Sequence, residues 1–136
     1  MLNLLGFDYG LRRIGVAIGQ QLTGTANALA TIHARDGKPD WDRISELIRA
    51  WRPGALVVGL PLQADGSDSG FTRNVRRFIR QLEDRYKLPV FAMDERLSSY
   101  AAAQREWNEK PGLKSRGIDA AAAKEILQSW LQSNYE

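Results

Sequence analysis

Leu2-Asn3-Leu4-Leu5-Gly6-Phe7-Asp8-Tyr9-Gly10-Leu11-Arg12-Arg13-Ile14-Gly15-Val16-Ala17-Ile18-Gly19-Gln20 reads as strand, turn, strand. Residues 2–9 are the first strand, whose apolar run Leu4-Leu5-Gly6-Phe7 ends on Asp8, and residues 13–20 alternate Ile14, Val16 and Ile18 against Gly15, Ala17 and Gly19. The link Gly10-Leu11-Arg12 is short enough to make the two strands antiparallel neighbours. A third strand is expected at about 27–34.

Downstream the period changes. Beyond Gly37-Lys38-Pro39, Asp40 is placed to cap a helix through Arg52, with Trp41, Ile44, Leu47, Ile48 and Trp51 on its apolar face and Pro53-Gly54 as its stop. Residues 55–60 are apolar on both faces, as in a strand covered by helices on both sides. A Gly/Asp/Ser loop, 64–70, leads to a helix ending near Tyr86, with Phe71, Val75, Phe78, Ile79 and Leu82 inward. Then come a strand at 89–94, a helix from about Ser98 to Trp107, a basic Pro/Gly-broken segment at 108–117 that reads as a mobile loop, and a last helix from Ile118 to about Tyr135. Three strands followed by alternating helices and strands imply a single α/β domain over residues 1–136. Its sheet should be mixed and five-stranded, with helices on both faces.

Composition narrows the chemistry. The chain has 136 residues, 43% hydrophobic and 26% charged, and its longest apolar run, 55–62, is too short for a membrane span. The first residues carry no basic segment and reach an acid by position 8, so a cytoplasmic protein is expected. With no cysteine and one histidine, His33, which reads as a solvent-facing strand residue, catalysis falls to carboxylates. A net charge of +3 and a pI near 9.4 favour a polyanionic partner without naming one.

Three acids stand where folding alone does not ask for them. Asp8 ends the first strand, Glu95 ends the run Val90-Phe91-Ala92-Met93-Asp94-Glu95, and Asp119 opens the last helix. Each has a plain alternative: a turn carboxylate at Asp8, pairing with Arg96 or capping at Asp94 and Glu95, and an N-terminal helix charge at Asp119. Strand alternation sends Asp94 and Glu95 to opposite sides, and Glu95 is the ligand candidate. Gly6 and Gly15 indicate that a ligand or another backbone comes close to the first two strands. Small Ala122 and Ala123 would let the last helix approach closely. Carboxylates converging in this way suit Mg2+ or Mn2+ and leave room for phosphate oxygens and water.

Basic residues surround these positions. Arg73, Arg76, Arg77 and Arg80 recur at helical spacing and form either a solvated face or a phosphate-binding stripe. Arg12, Arg13, Lys110, Lys114 and Arg116 lie in loops that the topology can bring near the acids. Neither the Walker-type phosphate loop nor the dinucleotide-binding glycine motif is present.

Phe7-Asp8-Tyr9-Gly10 with Arg13-Ile14-Gly15-Val16-Ala17, Val58-Gly59-Leu60-Pro61-Leu62 with Asp65-Gly66, Asp94-Glu95-Arg96-Leu97-Ser98 and Ile118-Asp119-Ala120-Ala121-Ala122 together resemble the bacterial YqgF family of pre-ribosomal-RNA nucleases. The four motifs run in register from end to end. The resemblance implies a ribonuclease H-like fold shared with Holliday-junction resolvases, with strand order 3-2-1-4-5, and an acidic site at Asp8, Glu95 and Asp119. It further implies two-metal hydrolysis of precursor RNA at the 5′ end of the small-subunit ribosomal RNA, with DNA junction cleavage as an alternative. Ribosomal precursor particles become expected partners, met by a monomer or weak homodimer. Gln63 and Ala120 depart from the Asn and Ser usual in that family. The rivals are a non-catalytic RNA- or ribosome-associated module, in which the acids are structural, and a sugar-kinase-like ATPase, for which 136 residues supply no second lobe.

Overall fold

The computed structural model describes residues 2–97 and 118–133. The expected helix at 98–107 and basic loop at 108–117 lie outside the described residues. Strands β1 (Asn3–Asp8), β2 (Arg13–Gln20) and β3 (Thr25–Arg35) form the antiparallel half of the sheet. A two-residue strand, β4 (Lys38–Pro39), pairs with β3. Helix α1 (Trp41–Trp51), β5 (Ala55–Leu60), α2 (Gly70–Tyr86), β6 (Val90–Asp94), a 3₁₀ turn (Glu95–Leu97) and α3 (Ile118–Ser133) follow. The sheet order is β4-β3-β2-β1-β5-β6.

The expected order 3-2-1-4-5 is therefore present, with one correction: a sixth strand on the outer edge. It exists because Asp36 and Gly37 both take positive φ, 51° and 79°, the pair of left-handed residues that a tight two-residue hairpin turn requires. The Asp-Gly dipeptide is a strong hairpin signal, and reading Gly37-Lys38-Pro39 only as a break before α1 passed over it.

Caps explain where the helices begin. The Asp40 side chain accepts from the Arg43 N–H, and Ser69 and Thr72 form a reciprocal capping box at the head of α2. Arg52 and Lys87 close the two helices in the left-handed conformation.

Strand alternation divides the core into two layers. Leu5 and Phe7 of β1, with Tyr9 just beyond it, join Val58 and Leu60 of β5 under α1 and α2, where Phe78 stands edge-on to Phe7 with ring centroids 5.7 Å apart. Leu4, Ala17, Val57 and Met93 face the other way, against Ala122, Ala123, Ile126 and Leu127 of α3. Helices thus cover both faces. Trp51 and Phe71 were expected to point inward but are 38% and 36% exposed, at the ends of their helices where the apolar stripe leaves the sheet.

The α3 face of the sheet is paved with glycine. A Cβ on Gly6 would stand 2.8 Å from the Leu127 Cβ, one on Gly19 would stand 2.8 Å from Leu127 Cδ2, and one on Gly15 would overlap the Asp119 backbone carbonyl. The close approach signalled by Gly6 and Gly15 is therefore that of α3. This seating fixes where the first turn of α3, and hence Asp119, meets the sheet.

Candidate active site

Asp8 is the last residue of β1 and pairs across the ladder with Gly15, the residue on which the Asp119 carbonyl rests. By alternation Asp8 shares the Leu4 and Gly6 side of β1, the side covered by α3. Glu95 follows β6 directly, and a Cβ on Gly59 would stand 2.6 Å from its Oε1 and 2.5 Å from the Ile126 Cδ1. Glu95 therefore also lies on the α3 side. The three acids come from a strand tip, a 3₁₀ turn and a helix start, all at one end of one face of the sheet.

The electrostatics of the three differ. Glu95 is half-buried, and loss of solvation, reinforced by the neighbouring Asp94 charge, pushes its pKa up to about 7. Asp119 is engaged from the side by Arg13, whose Nε donates to Oδ2 at 3.0 Å. Among the described residues no group of three His, Cys, Asp or Glu side chains stands close enough to hold a metal ion. The Asp119 carboxylate is engaged with Arg13.

Asp94 has a separate task. Arg96 donates to both of its oxygens, Nη2 to Oδ2 at 2.7 Å and Nε to Oδ1 at 3.1 Å, and these bonds hold its carboxyl below the usual range. The same guanidinium donates through Nη1 to the Ala64 carbonyl at 3.2 Å and lies beside Gly66. Arg96 so ties the 61–69 loop to the turn bearing Glu95, an anchor that the sequence reading treated only as a partner for acids. Gln63 is turned into this loop and donates to the Asp68 carbonyl at 3.2 Å, and Ala120 is buried in the first turn of α3.

Of the basic candidates, Arg13 stands at the acids, while the Arg12 side chain is exposed in the adjoining turn. The α2 arginines lie on the opposite layer of the sheet from α3. Arg76 is committed to Asp68, with Nε–Oδ2 2.7 Å and Nη2–Oδ1 3.0 Å, Arg77 donates through Nη2 to Asn74 Oδ1 at 3.4 Å, and Arg73 and Arg80 are exposed. Lys110, Lys114 and Arg116 lie outside the described residues. His33 is exposed on β3, as expected.

A mixed sheet of this order, with helices on both faces, is a ribonuclease H-like fold. Solved structures that share it include Thermus thermophilus RuvC in complex with a Holliday junction substrate (TM-score 0.55, 16% identity, 98% of this chain and 95% of that one) and the fowlpox virus resolvase with Holliday junction DNA (TM-score 0.57, 14% identity, 99% and 100%). The sequence profile of the RuvX family, whose description is "Holliday junction resolvase", matches residues 2–133, and the chain belongs to that family. Relatives named "Putative pre-16S rRNA nuclease" include proteins of Pseudomonas paraeruginosa, 48% identical over 130 residues (94% of this chain, 90% of the relative), and Coxiella burnetii, 49% identical over 133 residues (96% and 93%). The resemblance to the YqgF nucleases is borne out.

Proposed function

We propose that this chain is a divalent-metal-dependent nuclease that matures the 5′ end of the small-subunit ribosomal RNA precursor, with Asp8, Glu95 and Asp119 as metal ligands. The observation that supports the reading is that three acids from distant parts of the chain are carried to the same end of the sheet face that α3 covers, Asp8 and Asp119 on either side of Gly15 and Glu95 beside Gly59. The donor chemistry fits Mg2+ or Mn2+, since all three are hard oxygen ligands. Glu95 also fits: a carboxyl whose charge is disfavoured by burial and by Asp94 gains most from a cation beside it.

When bound, such ions supply an activated water and neutralise charge on the leaving oxygen. The protein's own part is placement. Gly15 and Gly59 leave space at Asp119 and Glu95, Arg96 steadies the turn, and Arg13 is positioned to exchange Asp119 for a substrate phosphate as the carboxylates take up their cation. Arg12 and the exposed α2 arginines Arg73, Arg77 and Arg80 would guide the backbone outside the site, with Arg76 held back by Asp68, and Lys110, Lys114 and Arg116 would meet it beside the scissile phosphate. No described helix is long and apolar enough to cross a membrane. We place the enzyme in the cytoplasm, acting as a monomer or weak homodimer on precursor particles.

The test is cleavage of ribosomal precursor RNA, an unrelated single strand and a four-way DNA junction, each with Mg2+, with Mn2+ and with chelator. Metal-dependent release of the precursor's 5′ extension is expected. Cleavage of the junction alone would transfer the activity to DNA, and no cleavage of any substrate would favour a non-catalytic RNA module.

A further inference from the structure

On the other face of the sheet, one residue beyond Asp8, lies a cavity of about 400 Å³ that no role yet described uses. Its floor is Tyr9 and Trp41, each packed on Phe78 with ring centroids 4.9 and 5.8 Å apart. One wall is the Asp36-Gly37 hairpin. This wall is built to stay in place: the Tyr9 hydroxyl donates to the Gly37 carbonyl, and the Gly37 N–H donates to the Leu11 carbonyl at 2.9 Å. The opposite wall is one stripe of α2, where Asn74, Arg77 and Gln81 stand at i, i+3 and i+7, and Lys38 closes the rim.

We propose that this cavity is a subsite for a single unstacked nucleotide of the substrate strand, a reading that rests on the nuclease assignment above. Each wall supplies one part of nucleotide recognition. The exposed Leu11 and the edges of Tyr9 and Trp41, whose faces are taken by Phe71, Phe78 and the Arg85 guanidinium, offer an apolar rim for a base, the amides of Gln81 and of Asn74, whose oxygen accepts from Arg77, can donate to a base edge, and Arg77 and Lys38 suit the flanking phosphate. The volume is within the roughly 300–1,000 Å³ usual for small-molecule sites. Its position gives it a use. Asp8 and Tyr9 are consecutive and point to opposite faces, so a strand cut at the acids needs only to round the tip of β1 to enter the cavity.

The experiment measures binding of single-stranded precursor RNA to the Asp8→Asn protein, which keeps cleavage out of the readout, with an abasic residue moved along the RNA one position at a time. One position, or two adjacent ones, should lose roughly tenfold in affinity. An Asn74→Ala/Gln81→Ala variant should bind intact RNA about as weakly and cease to register that abasic position. In parallel, titration with a nucleoside 5′-monophosphate should shift the Trp41 indole N–H resonance of the wild type and leave that of the variant in place. A flat abasic scan, or a dip that the variant retains, would overturn the subsite while leaving the nuclease assignment intact. Failure of both proteins to bind RNA would overturn the two together.

Discussion

Glu95 is the residue at which a pH dependence should be visible without any substrate. In the unfolded chain it ionises near 4.5, whereas in the folded protein burial and the Asp94 charge hold its proton up to about pH 7. Between those values the folded state binds more protons than the unfolded one, so this contribution to stability is present below pH 4.5 and is lost as pH rises through 7. The metal-free wild type should therefore melt at a lower temperature at pH 8 than at pH 5.5, and Glu95→Gln should flatten that difference. Added Mg2+ should raise the melting temperature of the wild type more at pH 8 than at pH 5.5, because only the ionised carboxylate is a good ligand. Superimposable pH profiles for wild type and variant would show that Glu95 does not carry the strain. Arg13 sets a second expectation: Arg13→Gln frees Asp119 and should tighten Mg2+ binding severalfold by calorimetry, whereas unchanged or weaker affinity would mean that the ion pair does not compete with the cation.

At the scale of elements, the seating of α3 decides whether the acids meet. Gly15→Ala puts a methyl group into the Asp119 carbonyl and must lift the first turn of α3, a backbone displacement that should cost about 3 kcal/mol in chemical denaturation and weaken Mg2+ binding. Gly70→Ala is the matched control, because nothing lies within 4 Å of the added atom, and it should be neutral or slightly stabilising. Equal costs at the two positions would mean that the glycine bed does not position α3. The strands, the helices and the N-cap of α1 could be read from sequence because alternation, helical period and turn residues are local signals, whereas the strand order came only with the resemblance to the YqgF family. What escaped depends on contacts between distant segments. The edge strand β4 needed the Asp-Gly turn to be matched with β3, Gly6 and Gly15 needed α3 as their neighbour, and the second task of Arg96 needed the 61–69 loop. Arg76 looked free along the helix because its partner, Asp68, lies in the preceding loop.

Across the whole molecule, the acids and the α2 arginines occupy opposite faces, so a strand that uses both must wrap around the end of the sheet. Arg73 and Arg80 are the informative pair, since Arg76 is tied to Asp68 and Arg77 faces the cavity. For single-stranded RNA each phosphate contact adds roughly 0.7 to the slope of log affinity against log salt, so Arg73→Ala/Arg80→Ala should flatten that slope by about 1.4. An unchanged slope would return the stripe to ordinary solvated surface. The most direct test of the central claim is to compare release of the 5′ extension from ribosomal precursor RNA, in Mg2+, by the wild type and by Asp8→Asn, with thermal unfolding recorded on both. The account predicts that the variant keeps its fold and RNA affinity and loses at least about a hundredfold in cleavage rate, because a near-isosteric amide replaces a carboxylate ligand. Cleavage by Asp8→Asn at the wild-type rate would contradict it.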